Sequence, residues 1–134
     1  MELIPAIDII AGQCVRLTQG DYQRKTVYDS DPVAVAQRFE AQGCTRLHLV
    51  DLDGARTGTL QNIQVLRNIA NATTLRIDYS GGIRTGADAE AAFAAGAAWV
   101  CIGSMAYKQP QTVYDWGTAY GHDRFIISAD MRDG

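Results

Sequence analysis

Basic clusters are the first thing this sequence lacks. Twelve Lys and Arg stand against fifteen Asp and Glu, for a formal charge of −3, and no basic run is longer than Arg24-Lys25. A nucleic-acid backbone needs a continuous cationic track, so nucleic acid is not an expected partner. Cysteine is scarce too. Cys14, Cys44 and Cys101 are odd in number, lie far apart, and form no CxxC or Cys/His spacing. That argues against a disulfide framework and a metal site, and for a reducing cytoplasm. Residues 1–10 contain Glu2, Pro5 and Asp8, so they lack the basic start and long apolar run of a signal peptide or a membrane span. Neither GxGxxG nor GxxxxGKS/T occurs.

What is present is an ordinary globular composition, with 47% hydrophobic and 20% charged residues. Short β-rich runs alternate with amphipathic stretches, the pattern of repeated βα units around a parallel sheet. The expected strands are Leu3 to Ile9, Arg46 to Asp51, Leu75 to Tyr79, Trp99 to Ile102 and Phe125 to Ala129, mostly apolar runs suited to burial on both faces. A short extra strand, Cys14 to Leu17, pairs locally. Four helices are expected. The first has Asp31 as N-cap, Pro32 at N1 and Gly43 past its end; the second covers about Asn62 to Asn71. The third begins after Thr85 and stops at Gly96, and the fourth starts near Pro110 and ends before Gly121, with Gly117 weakening its interior. The polar stretch from Thr18 to Ser30 reads as a long loop, either a solvated surface segment or a cover for an anionic ligand.

Such an alternation either closes as a barrel or lies open as a doubly wound sheet, and the pattern alone does not give strand order. In both cases reactive groups gather at the C-terminal ends of the strands. Those positions are polar or glycine-rich here: Asp8, Asp51 with Asp53, Ser80-Gly81-Gly82, Gly103-Ser104 and Asp130. Asp8 follows the apolar run Leu3 to Ile7, where a carboxylate is partly desolvated; its bland reading is a loop cap or an ion pair. Asp130 has the same two readings. In a closed eight-stranded barrel, strands one and five face each other across the mouth.

Ser80-Gly81-Gly82-Ile83-Arg84 and Ile102-Gly103-Ser104 follow adjacent strands and offer N–H groups without side-chain obstruction. Singly each is a tight turn; together, with Arg84, they suggest an anion site. His48 alternates sides with Asp51, which by periodicity places it toward the helix layer. Arg16 reads either as a surface ion pair or as a substrate contact.

Taken together, Ile4-Pro5-Ala6-Ile7-Asp8, the run from Val15 to Gly20, the run from Leu47 to Ala55, and Ser80-Gly81-Gly82-Ile83-Arg84 resemble the ProFAR isomerases of histidine biosynthesis along the whole chain. The resemblance implies the N-terminal (β/α)4-β5 portion of a TIM (β/α)8 barrel, one domain over 1–134, with strands six to eight absent. It implies Asp8 as general base and Asp130 as general acid of an Amadori rearrangement without metal or organic cofactor. Arg16 and His48 become substrate contacts. Gly81, Gly82, Arg84, Gly103 and Ser104 become one of two phosphate sites for a bis-phosphate sugar. Two rivals stay open: a bifunctional isomerase that also takes phosphoribosylanthranilate, and a non-catalytic half-barrel that binds phosphate. The expected partners are the substrate and either a complementary half-barrel or a second copy, because an open five-stranded sheet exposes its edges and an apolar face.

Overall fold

The structure, a computed structural model, describes residues 3–128; Asp130 and Ala129 of the sequence reading lie outside them. Seven strands form one sheet: β1 (Ala6–Ile10), β2 (Gln13–Thr18), β3 (Asp21–Asp29), β4 (Arg46–Asp51), β5 (Arg76–Ser80), β6 (Trp99–Ile102) and β7 (Phe125–Ile127). Their spatial order is β3-β2-β1-β4-β5-β6-β7. The pairs β1–β4, β4–β5, β5–β6 and β6–β7 are all parallel, and within this set of five each strand neighbours the next. A doubly wound sheet reverses its strand order at a switch point; this one does not, so it is the (β/α)4-β5 wall of a barrel with a hairpin extension on β1.

Crossovers of one hand, taken always in the same direction, put every helix on the same side of the sheet. The helices are α1 (Pro32–Ala41), α2 (Leu52–Thr57), α3 (Ile63–Ala72), α4 (Gly86–Ala95), α5 (Met105–Lys108) and α6 (Pro110–Tyr120), followed by a 3-10 turn at His122–Arg124. Asp31 caps α1 by accepting from Ala34 N, and Pro32 supplies the missing donor at N1. Thr85 and Asp88 close a reciprocal capping box on α4, which ends at left-handed Gly96. The core lies between this helix layer and one face of the sheet. Ile7, Ile9, Leu47, Leu49, Ile77, Tyr79, Val100 and Ile102 meet Val35, Ala36, Leu66, Ile69, Ala89 and Ala92 there. Full burial of each large aliphatic side chain contributes roughly 1.5–3 kcal/mol, which makes this face the main source of stability.

Three expectations need correction. The stretch Thr18 to Ser30 is not a loop: β2 and β3 are antiparallel, and Thr18 pairs with Asp21 across a two-residue turn. Gln19 and Gly20 both have positive φ, 54° and 75°, the type I′ pattern that matches strand twist. Ala11 and Gly12, at 52° and 76°, repeat it between β1 and β2. Second, β1 starts at Ala6 rather than Leu3; Leu3 is 73% exposed, and Pro5 has no N–H to give the ladder. Third, burial on both faces holds for the inner parts of β5 and β6, at Ile77 to Tyr79 and Val100 to Ile102, but not for β4. β4 reads buried at Leu47, Leu49 and Asp51 and half-buried at Arg46, His48 and Val50, the alternation of a sheet covered on one side. The short helices α2 and α5 also lie where loops were expected.

Candidate functional site

Parallel register sorts the polar residues of the uncovered face into rows. Asp8 pairs with Val50 and Val50 with Ser80, so Asp8 and Ser80 stand at one level across β1, β4 and β5. One step toward the strand starts, Ala6, His48 and Asp78 share a row. Lower still, Arg46 pairs with Arg76, and both guanidinium carbons lie over the Trp99 ring, 4.3 and 4.4 Å from its centroid. That cation–π sandwich closes the end of the face away from the chemistry.

Asp51 belongs to the opposite side. It is 1% exposed, and its carboxylate accepts from Gly54 N (2.8 Å), Gln61 N (2.9 Å), Asn62 N (2.9 Å), Asn62 Nδ2 (2.7 Å) and Tyr79 OH (3.0 Å). Asp53 accepts from Ala11 N at 2.7 Å and Asn62 Nδ2 at 2.9 Å, while Asn62 accepts from Gly12 N at 3.0 Å. These two strand-end acids therefore anchor α2, α3 and the β1–β2 turn. Burial, then the Asp51 charge, raises the Tyr79 phenol and keeps it a donor.

The side assignment of His48 reverses accordingly. His48 does alternate with Asp51, but Asp51 faces the helices and His48 the open face. His48 Nδ1 is hydrogen-bonded to the Asp78 carboxylate, and Cys101 Sγ donates to the same Asp78 oxygen at 3.4 Å. The bond to Asp78 raises the His48 pKa; burial opposes it, and the charges of Asp78 and Asp8 add to the rise. Asp8 is half-buried, and burial raises its pKa while His48 pulls it down. Burial and then Asp78 push the Cys101 thiol up to about 12. Among the described residues, His48, Asp78 and Cys101 are the one grouping of three metal-capable side chains, with donor atoms within 4.8 Å of one another. Asp78 takes hydrogen bonds from both neighbours, so the three satisfy one another and the thiol keeps its proton.

At the strand ends lies a cavity of about 410 Å³ lined by Ser80, Gly81, Gly82, Arg84, Gly103 and Ser104, with Ala55, Ile83, Cys101, Met105, Tyr107 and Ser128 completing its wall. Gly81 has φ +111°, and a Cβ there would stand 2.2 Å from Asp51 O; at Gly82, φ +82°, it would stand 2.8 Å from Thr59 O. The backbone turn itself thus demands these two glycines. Gly103 is different: a Cβ there meets nothing within 4 Å, so only the cavity would notice it. Ser104 is exposed and makes no capping bond with its side chain. The Arg84 guanidinium lies over Gly58, and Arg84 N donates to Asp88.

Of the residues singled out from sequence, five share this cavity, and Asp8 and His48 interact across β1 and β4. Arg16 stands apart on β2 with its guanidinium 4.9 Å from the centroid of the Tyr28 ring. Asp130 is outside the described residues. Sequence reasoning passed over Asp78 and Cys101. The signal was the alternation Arg76, Asp78, Ser80 against Ile77, Tyr79, which marks a polar face within a strand grouped among the mostly apolar runs.

Comparison with known proteins gives one family model, histidine biosynthesis protein, matching residues 2–134. Similar relatives include a protein of Parabacteroides distasonis, 50% identical over 99% of this chain and 56% of its own length. A Cytophaga hutchinsonii protein is 50% identical over 100% of this chain and 56% of its own, and one of Flavobacterium johnsoniae is 45% identical over 99% and 55%. Each is named 1-(5-phosphoribosyl)-5-((5-phosphoribosylamino)methylideneamino)imidazole-4-carboxamide isomerase. The chain spans about half the length of these curated relatives.

Proposed function

This chain belongs to the histidine biosynthesis protein family, and from that premise we propose that it carries the general base and one phosphate site of an isomerase that converts the aminoaldose ProFAR to the aminoketose PRFAR. The observation that carries the reading is the row Asp8–Val50–Ser80, which sets a desolvated carboxylate level with the rim of the glycine-lined cavity on one uncovered face. A phosphate in that cavity is met by the N–H groups around Gly81, Gly82, Gly103 and Ser104 and by Arg84.

The chemistry follows from the substrate. Asp130 protonates the ribose ring oxygen, the ring C–O bond breaks, and an imine forms at C1. Asp8 then removes the C2 proton to give an enolamine, which tautomerises to the ketose. Asp8 suits the base role because burial raises its proton affinity while His48 keeps its anion accessible. His48 and Arg16 contact the substrate, and no metal or organic cofactor takes part. The relatives' further length supplies the remaining strands and the second phosphate site, as a covalent half or a partner half. Cys14, Cys44 and Cys101 are all free, which supports work in a reducing cytoplasm. No helix is long and apolar enough to cross a membrane among the described residues.

A second reading, phosphate binding without turnover by this chain alone, is favoured by the cavity being walled by this chain's own residues. The two separate in one experiment. Phosphate titrated into the chain is expected to move the amide resonances of Gly81, Gly82, Gly103 and Ser104; conversion of ProFAR is expected only once the missing strands are added. Undisturbed resonances at those four residues would remove both readings.

A further inference from the structure

We propose that Asp78 is a positioning residue: it holds His48 in the Nδ1–H form, so that Nε2 faces the substrate side of the sheet beside Asp8. This inference rests on the isomerase reading for its use in catalysis, but not for its geometry.

Asp78 is 4% exposed, in the middle of β5, on a face where a lone buried carboxylate is costly. Two donors converge on its Oδ1: the His48 ring through Nδ1, and the Cys101 thiol at 3.4 Å. A carboxylate that cannot donate fixes which ring nitrogen bears the proton, because only an N–H satisfies it. Nδ1 is therefore the protonated nitrogen of neutral His48. Nε2, which takes no hydrogen bond among the described residues, is left for a ligand.

The charges around the ring agree. Asp8 approaches from β1, Asp78 and Arg76 from β5, and Cys101 from β6, with Arg46 on His48's own strand. Arg46 and Arg76 are stacked on Trp99 at the lower end of the face, and Cys101 keeps its proton. The two carboxylates thus dominate at His48, and Asp78 is the one bonded to it. An imidazolium at this place does two things: it gives the anionic substrate a cation on the sheet face, and it counters part of the rise that burial imposes on the Asp8 pKa. Asp78 acts on the reaction only through that ring.

The test uses the chain's small histidine count, two, His48 and His122. Ring-nitrogen NMR of the unmodified protein is expected to show His48 titrating above the ordinary histidine value of about 6.5 and, once neutral, carrying its proton on Nδ1. In Asp78→Asn the midpoint should fall by about one unit or more and the tautomer should lose its preference, while His122 stays put. Cys101→Ala should leave both His48 readings in place. A neutral His48 protonated on Nε2 in the unmodified protein overturns the proposal outright, whether or not Asp78→Asn folds. An unchanged midpoint in a folded Asp78→Asn does the same. In the completed barrel, Asp78→Asn should shift the acid limb of the rate profile upward, toward that of His48→Gln. Absence of turnover with the Nδ1–H form intact would count against the isomerase reading and leave this one standing.

Discussion

Asp51 ends β4 and Asp8 lies one row lower in neighbouring parallel β1, yet their surroundings are opposite. Asp51 points into the helix layer, where five donors meet its carboxylate and every one of them belongs to the fold. Asp8 points to the uncovered face, half-buried, with no hydrogen-bond donor to its carboxylate among the described residues and a histidine nearby to counter its desolvation. One face of the sheet is saturated and the other is left with unspent chemistry. A strand-end acid is thus read by the side it faces, and position along the strand does not decide it.

The largest expected effect lies on the saturated side. Asp51→Ala removes the acceptor of five donors, most of them buried, and should cost about 3–5 kcal/mol in urea unfolding, whereas Asp8→Ala on the open face should cost less than about 1 kcal/mol. Equal losses would erase the distinction between the faces.

The glycines repeat the contrast at smaller scale. Gly81→Ala forces a Cβ to within 2.2 Å of Asp51 O at positive φ, and should cost roughly 1–3 kcal/mol. Gly103→Val has open space and should unfold with the unmodified protein, while its phosphate affinity drops about tenfold, the equivalent of one lost hydrogen bond. Isothermal titration with phosphate beside a thermal melt checks both halves.

The smallest effect is on pH dependence. His48 has a raised folded pKa, so its contribution to stability is complete below about pH 6.5, the unfolded value, and is lost as pH rises through the folded value. The unfolding midpoint of the unmodified protein should therefore decline across that window. His48→Gln should flatten the decline, and a decline of the same size in the variant would assign it elsewhere.

Much of this contrast was legible in the sequence. The caps Asp31 and Thr85, the stops at Gly43 and Gly96, and the glycine runs after β5 and β6 are local signals, and α1, α3, α4 and α6 fall where they say. The β2–β3 hairpin was hidden because its turn, Gln19-Gly20, lacks the Asn-Gly or Asp-Gly signature, and because β3 is exposed along nearly its whole length. The sides of the strands were hidden for another reason. Period two shows that His48 and Asp51 oppose each other, but only the position of the helices tells which of them meets the core. The uncovered face is for the same cause not the apolar one expected: Arg46, His48, Arg76 and Asp78 stand on it. Asp78 and Cys101 look like interior residues until β4, β5 and β6 are laid side by side.

The central claim is that chemistry belongs to the open face and stability to the covered one. It is tested most directly by measuring kcat and the urea midpoint of Asp8→Asn in the barrel completed with the relatives' remaining strands. The account predicts that kcat falls by about 10²- to 10⁴-fold, the worth of a positioned general base, while the midpoint and phosphate affinity hold. Near-normal turnover by Asp8→Asn, or a loss of turnover that merely tracks a loss of folding, would contradict it.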